Sequence, residues 1–330
     1  MDVTEREVDI IVPAYNAAST ITRTLDSLRR QTAFDRIHII LVDDGSTDNT
    51  YTTAMSMAET DRQLASRLEI ITHPQNYGAA AAYRTGIKAT QARWIGRCDA
   101  DDTMPPDAIE RMLEAGRQAD MVCGRVLRSH GLDHRILFPH AGDLNSAPID
   151  TPTFSLGNRI YRRDLLLDAP DSVPLNVMEG INCWDDVSLT ARLMALPGVR
   201  IAYLKGEPVY NYYLAPDNSS LSKANQQYIL TQHIECAGRL TKWFEANGLS
   251  ELYRPFLLRL RFIAKVKMLR LRQRADLVGL WKSTFPETNK VIMSRTIMGP
   301  AVSLPQRLAF KAVDMMPVGV SASIMRLFSR

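Results

Sequence analysis

No two of the chain's four cysteines, Cys98, Cys123, Cys183 and Cys236, form a CxxC pair. Their wide spacing argues against a disulfide framework and against a cysteine zinc site, and it fits a reducing compartment. The histidines offer no metal site either, because His130, His134 and His140 lack zinc spacing. No uncharged apolar run reaches the roughly 18 residues that span a bilayer. The opening residues, MDVTEREVD, are charged where a secretion signal would carry an apolar core. No two glycines are separated by a single residue, which excludes the G-x-G turn of a NAD-binding protein. Internal repeats and low-complexity tracts are absent. So is the aromatic interleaving on a recognisable binding fold that a nucleic-acid partner would require.

What is present is an ordinary globular composition. The 330 residues are 45% hydrophobic and 23% charged, enough for one large domain or a domain with an appendage. The net charge of +4 hides an asymmetry. Residues 239–330 hold 17 Lys and Arg against 5 Asp and Glu, whereas the first 238 hold 23 against 31. Two regions with different partners are implied.

The first third alternates between β-branched runs and helical spacing. Strands are expected at Val8–Val12, Ile37–Val42, Leu68–Thr72, Trp94–Cys98 and Met121–Leu127. Helices are expected at Thr20–Arg30, Thr47–Leu64, Ala79–Thr90 and from Pro105 to about Ala119. This alternation predicts right-handed crossovers and a mainly parallel sheet whose ligands bind at the carboxyl ends of the strands. Residues 131–152 read as a long loop. A helix over Asp186–Leu196 follows, then short strands at Arg200–Leu204 and Pro208–Tyr213, and the chain beyond Ser222 reads as helical.

Polar clusters fall at the expected strand ends. Asp99-Ala100-Asp101-Asp102 gathers three carboxylates within four residues, which repel unless a cation or water lies among them. Oxygen ligands of this kind suit Mg²⁺ or Mn²⁺, with water and substrate phosphates completing the shell. The bland alternative is a solvated turn ahead of the next helix. In Asp43-Asp44-Gly45-Ser46-Thr47-Asp48, one carboxylate could accept a pyrimidine N–H while Thr47 or Asp48 caps a helix. Tyr15, in Pro13-Ala14-Tyr15-Asn16, could stack on the same base.

Taken together, IVPAYNAASTITRTLDSL, LVDDGSTDNT, NYGAAAAYRTGIKA and RWIGRCDADDTMPPDAIERM resemble a family 2 glycosyltransferase with the GT-A fold. The resemblance covers about residues 7 to 125 closely and extends loosely to about 225. It implies an α/β, Rossmann-like, mainly parallel sheet and an inverting transferase with a nucleotide-sugar donor, usually linked to uridine diphosphate. Carried over by position, it puts Pro13, Tyr15 and Asp44 on the base with Asp43 beside them, and counts Asn16, Asn76 and Gly78 among the donor-binding residues. Asp99 would contact ribose or metal-bound water, and Asp101 would coordinate Mn²⁺ or Mg²⁺, so the pair forms the DxD motif. Many relatives carry Ala-Arg-Asn where this chain has Ala82-Tyr83-Arg84. The donor-side candidate Arg84 therefore stands one place late, about 100° round a helix.

Inverting transfer needs a base for the acceptor hydroxyl. Trp184-Asp185-Asp186 resembles the family's x-Glu-Asp motif, making Asp186 the base candidate and Asp185 its neighbour, with helix capping as the bland alternative. Trp184 would line the sugar pocket or belong to the core. Asn158–Arg163 resembles an acceptor-side segment, with an acceptor or pyrophosphate contact assigned to Arg159. Asn218–Ser222 matches the position of a loop over the diphosphate. Processive relatives carry Gln-x-x-Arg-Trp, which this chain lacks, so addition of a single sugar is expected.

The basic segment from Tyr253 to Arg274 places Arg254, Arg261, Lys265 and Arg272 on one helical face, and Arg259, Lys267, Arg270 and Arg274 on the opposite one. Such a helix can lie on an anionic membrane surface or simply pack with a solvated face. Residues 301–330 are likewise apolar and basic.

The expected organisation is a catalytic domain over 1–225, with a nucleotide-binding half to about 125 and an acceptor half after it, and a basic helical region over 226–330. The expected function is sugar transfer to a glycan or lipid-linked acceptor in bacterial polysaccharide biosynthesis. The expected location is the cytoplasm, peripheral to the inner face of the cell membrane. A non-catalytic nucleotide-sugar binder would keep Asp44 and Asp101 but need no base. A sugar nucleotidyltransferase would need a glycine-rich first loop, and PAYNAAST has no glycine.

Overall fold

The computed structural model describes residues 6–141, 144–147, 149, 153–167, 180–214, 226–268, 277–298 and 302–319. The chain divides into two compact units, one of residues 1–141 with 151–217, the other of residues 142–150 with 218–330.

In the first unit, β1 (Val8–Ala14), β2 (Ile37–Asp43), β3 (Leu68–Thr72) and β4 (Trp94–Arg97) are joined through α1 (Ile21–Arg29), α2 (Thr50–Thr60) with the short α3 (Arg62–Ala65), and α4 (Ala79–Ala89). Then come α5 (Ala108–Ala115), β5 (Met121–Cys123), β6 (Val126–His130), β7 (Asp133–Leu137), β8 (Arg159–Arg162), α6 (Asp185–Ala195), β9 (Ile201–Tyr203) and β10 (Tyr210–Tyr213). The main sheet has the order β3-β2-β1-β4-β8-β5-β9, and a second sheet has the order β10-β6-β7. The β1–β2, β2–β3, β1–β4 and β5–β9 pairs are parallel, whereas β8 runs antiparallel to both β4 and β5.

The alternation of β1 sorts its side chains between two cores. Val8, Ile10 and Val12 join Ile21, Leu25 and Leu28 of α1 and Ile109 and Met112 of α5. Ile11 faces the other way with Ile40, Val42 and Ile95, against Tyr83 and Ile87 of α4 and Leu189 and Leu193 of α6. Each fully buried aliphatic side chain contributes about 1.5–3 kcal/mol. Gly86 sets how closely α4 lies on the sheet, because a Cβ there would stand 2.3 Å from Ile11 Cγ2.

Three expectations change. The helix read as Thr47–Leu64 starts at Thr50 and breaks at Asp61, whose carboxylate accepts Gln63 and Leu64 N–H to cap α3. The run Met121–Leu127 is two strands in different sheets, β5 and β6. The segment read as a loop from Gly131 contains β7, which pairs with β6 across a turn at Gly131. Asp133, His134 and Arg135 are exposed, so this edge strand carries no apolar alternation to betray it.

The second unit is helical: α7 (Gln226–Ala246), α8 (Arg254–Met268), α9 (Leu277–Ser283), α10 (Arg295–Met298) and α11 (Leu304–Met315). Lys242, Arg254, Lys290 and Arg295 are exposed, but other cations of this unit point inward. Arg259 is buried and donates to the carbonyls of Asn145, Ala147 and Ile297 at 3.0, 2.7 and 3.0 Å. Lys265 is buried, with Nζ 2.5 Å from Asn289 Oδ1 and 4.4 Å from the Trp281 ring centroid. Arg261 pairs with Glu287 at 2.9 Å. Along the described length of α8 the expected basic face is therefore divided: Arg254 is exposed, Arg261 is half-buried and Lys265 is interior. Arg270, Arg272 and Arg274 lie outside the described residues. No helix among the described residues is long and apolar enough to cross a membrane.

Burial pushes the Lys265 ammonium down to about 8, against the opposing pull of Asp314 and Glu287. The unfolded chain then binds the extra proton more readily between about pH 8 and 10.5, so this group's cost is largest below pH 8 and fades as pH rises. Lys265→Met should stabilise the chain by roughly 1–3 kcal/mol at pH 7. Thermal melts of variant and wild type should show that advantage shrinking between about pH 8 and 10.5.

Candidate active site

The carboxyl ends of β1, β2 and β4 are neighbours in the sheet, and their following loops build one polar edge. At the end of β1, Pro13 is buried and pairs in register with Val42, while Tyr15 leaves the strand with its ring 46% exposed. Asn16 has a left-handed backbone (φ 50°) and ties the two loops together. Its N–H donates to Ser46 Oγ at 3.0 Å, and its Oδ1 accepts Thr47 N–H at 2.8 Å. Asp48 Oδ1 accepts Thr50 N–H at 3.0 Å and Oδ2 accepts Ala18 N–H at 3.0 Å, so it both caps the start of α2 and ties down the first loop.

Asp43 and Asp44 differ in what they hold. Asp43 is buried and accepts Ser46 N–H at 3.1 Å. Asp44 is more fully engaged: Oδ1 accepts Tyr77 N–H at 3.0 Å and lies 2.7 Å from His73 Nδ1, and Oδ2 accepts Gly78 N–H at 2.7 Å. His73 Nε2 lies 2.9 Å from Thr85 Oγ1 on α4. Asp44 therefore anchors the loop that carries Asn76 and Gly78, a task the sequence reading did not foresee. Gly45 (φ 69°) lets this packing happen, since a Cβ there would meet the Gln75 carbonyl carbon at 2.4 Å. Asn76 and Tyr77 on that loop are exposed, and the Tyr77 ring, 47% exposed, is a candidate for nucleoside contact that sequence reasoning missed.

The turn after β4 is braced from three sides. Thr24 of α1 donates to the carbonyls of Ala100 and Asp102 at 2.9 and 2.8 Å. Arg23 donates to the Asp101 carbonyl at 2.5 Å and stacks 4.3 Å over the Tyr213 ring. Tyr210 accepts Asp99 N–H at 3.1 Å and donates to Asp102 Oδ2 at 2.7 Å, while Asp102 Oδ1 accepts Tyr213 N–H at 2.9 Å. Asp102 is thus an interior anchor for β10, and burial, with the charges of Asp99 and Asp101, pushes it up to about 8. The two remaining motif carboxylates are Asp99, 37% exposed, and the half-buried Asp101.

The base candidates meet this turn through a residue the sequence reading passed over. Arg97, the last residue of β4, donates from Nε to Asp99 Oδ1 at 2.6 Å and from Nη1 to Asp185 Oδ2 at 3.1 Å. Asp185 and Asp186 open α6 behind Trp184, which is buried and left-handed (φ 60°). Asp186 Oδ1 accepts Val187 N–H at 2.7 Å, so a capping contact coexists with its half-exposed position. Arg84 is half-buried on α4, and its neighbour Tyr83 takes the inward place with its ring 5.1 Å from the Arg97 guanidinium. Arg159 contradicts its assignment: it is fully buried and donates to the Ser155 carbonyl at 2.5 Å and to that of Thr153, so it holds β8 from within and faces no ligand. Asn218–Ser222 lie outside the described residues.

For a divalent metal, the described residues contain no cluster of three His, Cys, Asp or Glu ligands. Asp102 is turned inward by Tyr210 and Tyr213, which leaves Asp99 and Asp101. One or two carboxylates, with water and substrate phosphates, is the donor set Mg²⁺ characteristically accepts. The residues therefore fit a metal that shares its shell with a diphosphate, not one caged by protein alone.

Residues 9–168 match the model of the family described as Glycosyl transferase family 2. The matched stretches span 32%, 37% and 44% of the lengths of three curated relatives. The last, the succinoglycan biosynthesis protein ExoO of Rhizobium meliloti, is 30% identical over 162 residues, which is 48% of this chain. Among solved structures, S. aureus TarS 1-349 in complex with UDP-GlcNAc superposes with a TM-score of 0.65 at 17% identity, covering 98% of this chain and 89% of that one. The mannosyltransferase PcManGT from Pyrobaculum calidifontis, in complex with GDP-Man and Mn²⁺, gives 0.50 at 22% identity, with 93% and 79% covered. These two likenesses establish the GT-A-type α/β fold with a helical C-terminal region.

Asp44→Ala would strand the N–H groups of Tyr77 and Gly78 beside a vacated carboxylate site. The expected cost is about 2–4 kcal/mol in chemical denaturation, because the Asn76–Gly78 loop loses its anchor.

Proposed function

We propose, from the premise that residues 9–168 belong to glycosyl transferase family 2, that the chain is an inverting transferase. It moves one sugar from a UDP-sugar to a hydroxyl of a glycan or lipid-linked acceptor in bacterial polysaccharide biosynthesis. The observation that carries the reading is the Arg97 link, which joins the motif aspartate Asp99 to Asp185 at the start of α6. This contact supports reading the donor-side and acceptor-side carboxylates as parts of one site. The UDP-GlcNAc complex of TarS and the name of ExoO support the donor class and the pathway class.

In this reading the uracil stacks on Tyr15, and a carboxylate at the end of β2 accepts its ring N–H. Asp43, which accepts one hydrogen bond where Asp44 serves three donors, is the better placed of the two. Asn76 and the Gly78 region flank the donor. Asp101 and Asp99 would hold Mn²⁺ or Mg²⁺, which when bound neutralises the diphosphate leaving group. Asp186 takes the acceptor hydroxyl proton as the oxygen attacks the anomeric carbon on the face opposite the diphosphate. The bond from that carbon to phosphate oxygen breaks, UDP departs with the bonding pair, and the configuration inverts. Asp185 is occupied by Arg97 and so orients the turn while Asp186 carries the proton.

Calorimetry of UDP binding with Mn²⁺, with Mg²⁺ and with chelator tests the donor side. Binding should require metal and weaken at least about tenfold in Asp101→Ala, whereas binding indifferent to chelator would contradict the DxD assignment. Asp186→Ala should keep UDP binding while sugar transfer falls about 10²–10⁴-fold. Transfer unaffected by that change would remove the base assignment.

A further inference from the structure

Arg97 lies where sheet and helix meet and is only 11% exposed. It extends from the end of β4 on the face shared with Ile95 and Tyr83, and its guanidinium sits 5.1 Å over the Tyr83 ring. Tyr83 in turn is fixed through its hydroxyl, which hydrogen-bonds that of Tyr161 on β8. With aromatic packing behind it and two carboxylates ahead, the guanidinium has one orientation available. Its planar fork suits this task, since it can address two acceptors in different directions while staying charged. The two carboxylates it joins come from positions 99 and 185, on elements that no local pattern connects.

Without that cation, Asp99 and Asp185 would approach one another as uncompensated charges. With it, both are already neutralised in part before any ligand arrives. A free divalent cation approaching Asp99 and Asp101 therefore meets a positive charge held within hydrogen-bond reach of Asp99. A cation that comes with a diphosphate meets the same charge as an attractive partner.

We propose that Arg97 is a positioning residue that clamps Asp99 to the first turn of α6, and that it depresses the site's affinity for free Mn²⁺ so that metal enters with the nucleotide diphosphate. This rests on the donor-site reading above, yet it makes a separable claim about charge balance among Arg97, Asp99 and Asp185. Asp185 then acts as a counter-ion for Arg97, not as a metal ligand.

The test is Mn²⁺ titration without nucleotide, read by electron paramagnetic resonance of the free ion, on wild type, R97M, D185N, R97M/D185N and R97K. Removing the guanidinium should tighten free Mn²⁺ binding about tenfold or more, since one like charge beside a divalent ion is worth about that even at a high effective dielectric. Asp185→Asn, which leaves the cation without its second partner, should weaken it by a similar factor. The double variant should return to within about threefold of wild type, and R97K, which keeps the charge, should stay near wild type. A damaged site would bind metal less well in every variant, so the opposite signs separate a charge clamp from a merely structural residue. Unchanged or weaker Mn²⁺ binding by folded R97M would overturn the proposal. Should R97M fail to fold, unchanged binding by D185N would overturn it equally. Failure of the donor reading shows elsewhere, as UDP binding by the wild type that ignores metal.

Discussion

Carboxylates crowded at one edge of a parallel sheet repel one another, and this fold is organised around that repulsion. Asp43, Asp44, Asp99, Asp101, Asp102, Asp185 and Asp186 all stand at strand ends or in the first turn of α6. Each is stabilised differently. Asp44 is satisfied by backbone N–H groups and His73, Asp102 by Tyr210 and the Tyr213 N–H, and Asp99 and Asp185 by the shared guanidinium of Arg97. Asp99 and Asp101 remain the less deeply buried carboxylates of the motif, and they are the ones the proposed chemistry would use. An acidic motif thus becomes two structural anchors and a small ligand set, a division of labour that spacing in the sequence does not specify.

The scaffold was legible because apolar β-branched runs abut polar clusters directly. Val8–Val12, Ile37–Val42 and Trp94–Cys98 each end where the next residues turn acidic or aromatic, and that junction is what a strand end at a ligand edge looks like. Long-range partnerships were not legible. Arg97 reads as the last residue of a strand, and its partner Asp185 lies 88 positions away. His73 meets Asp44 across 29 positions, and nothing in either segment announces the contact. β8 was hidden by its own sequence, because the arginine at its start is buried and breaks the apolar pattern of a core strand.

The helical unit carries a related lesson about charge. Its excess of basic residues suggested a surface for anionic lipid, yet Arg259 and Lys265 are interior side chains that contact carbonyls, an amide and an aromatic ring. A helical wheel could not separate these from solvated cations, since a buried arginine with carbonyl partners and an exposed one have the same periodicity. Arg259 closes the segment around Asn145 and Ala147 onto α8, so this charge stabilises the unit's own packing. Arg159 in the first unit is held in the same way, by the carbonyls of Ser155 and Thr153.

In the proposed function the ends of β1, β2 and β4 and the start of α6 form one nucleotide-sugar site. Crystals grown with UDP and Mn²⁺, with data collected near the manganese absorption edge, put that to the test. An anomalous peak is expected between Asp101 and the diphosphate, with uracil against Tyr15. A nucleotide bound away from Tyr15, or manganese bound away from Asp99 and Asp101, would contradict it.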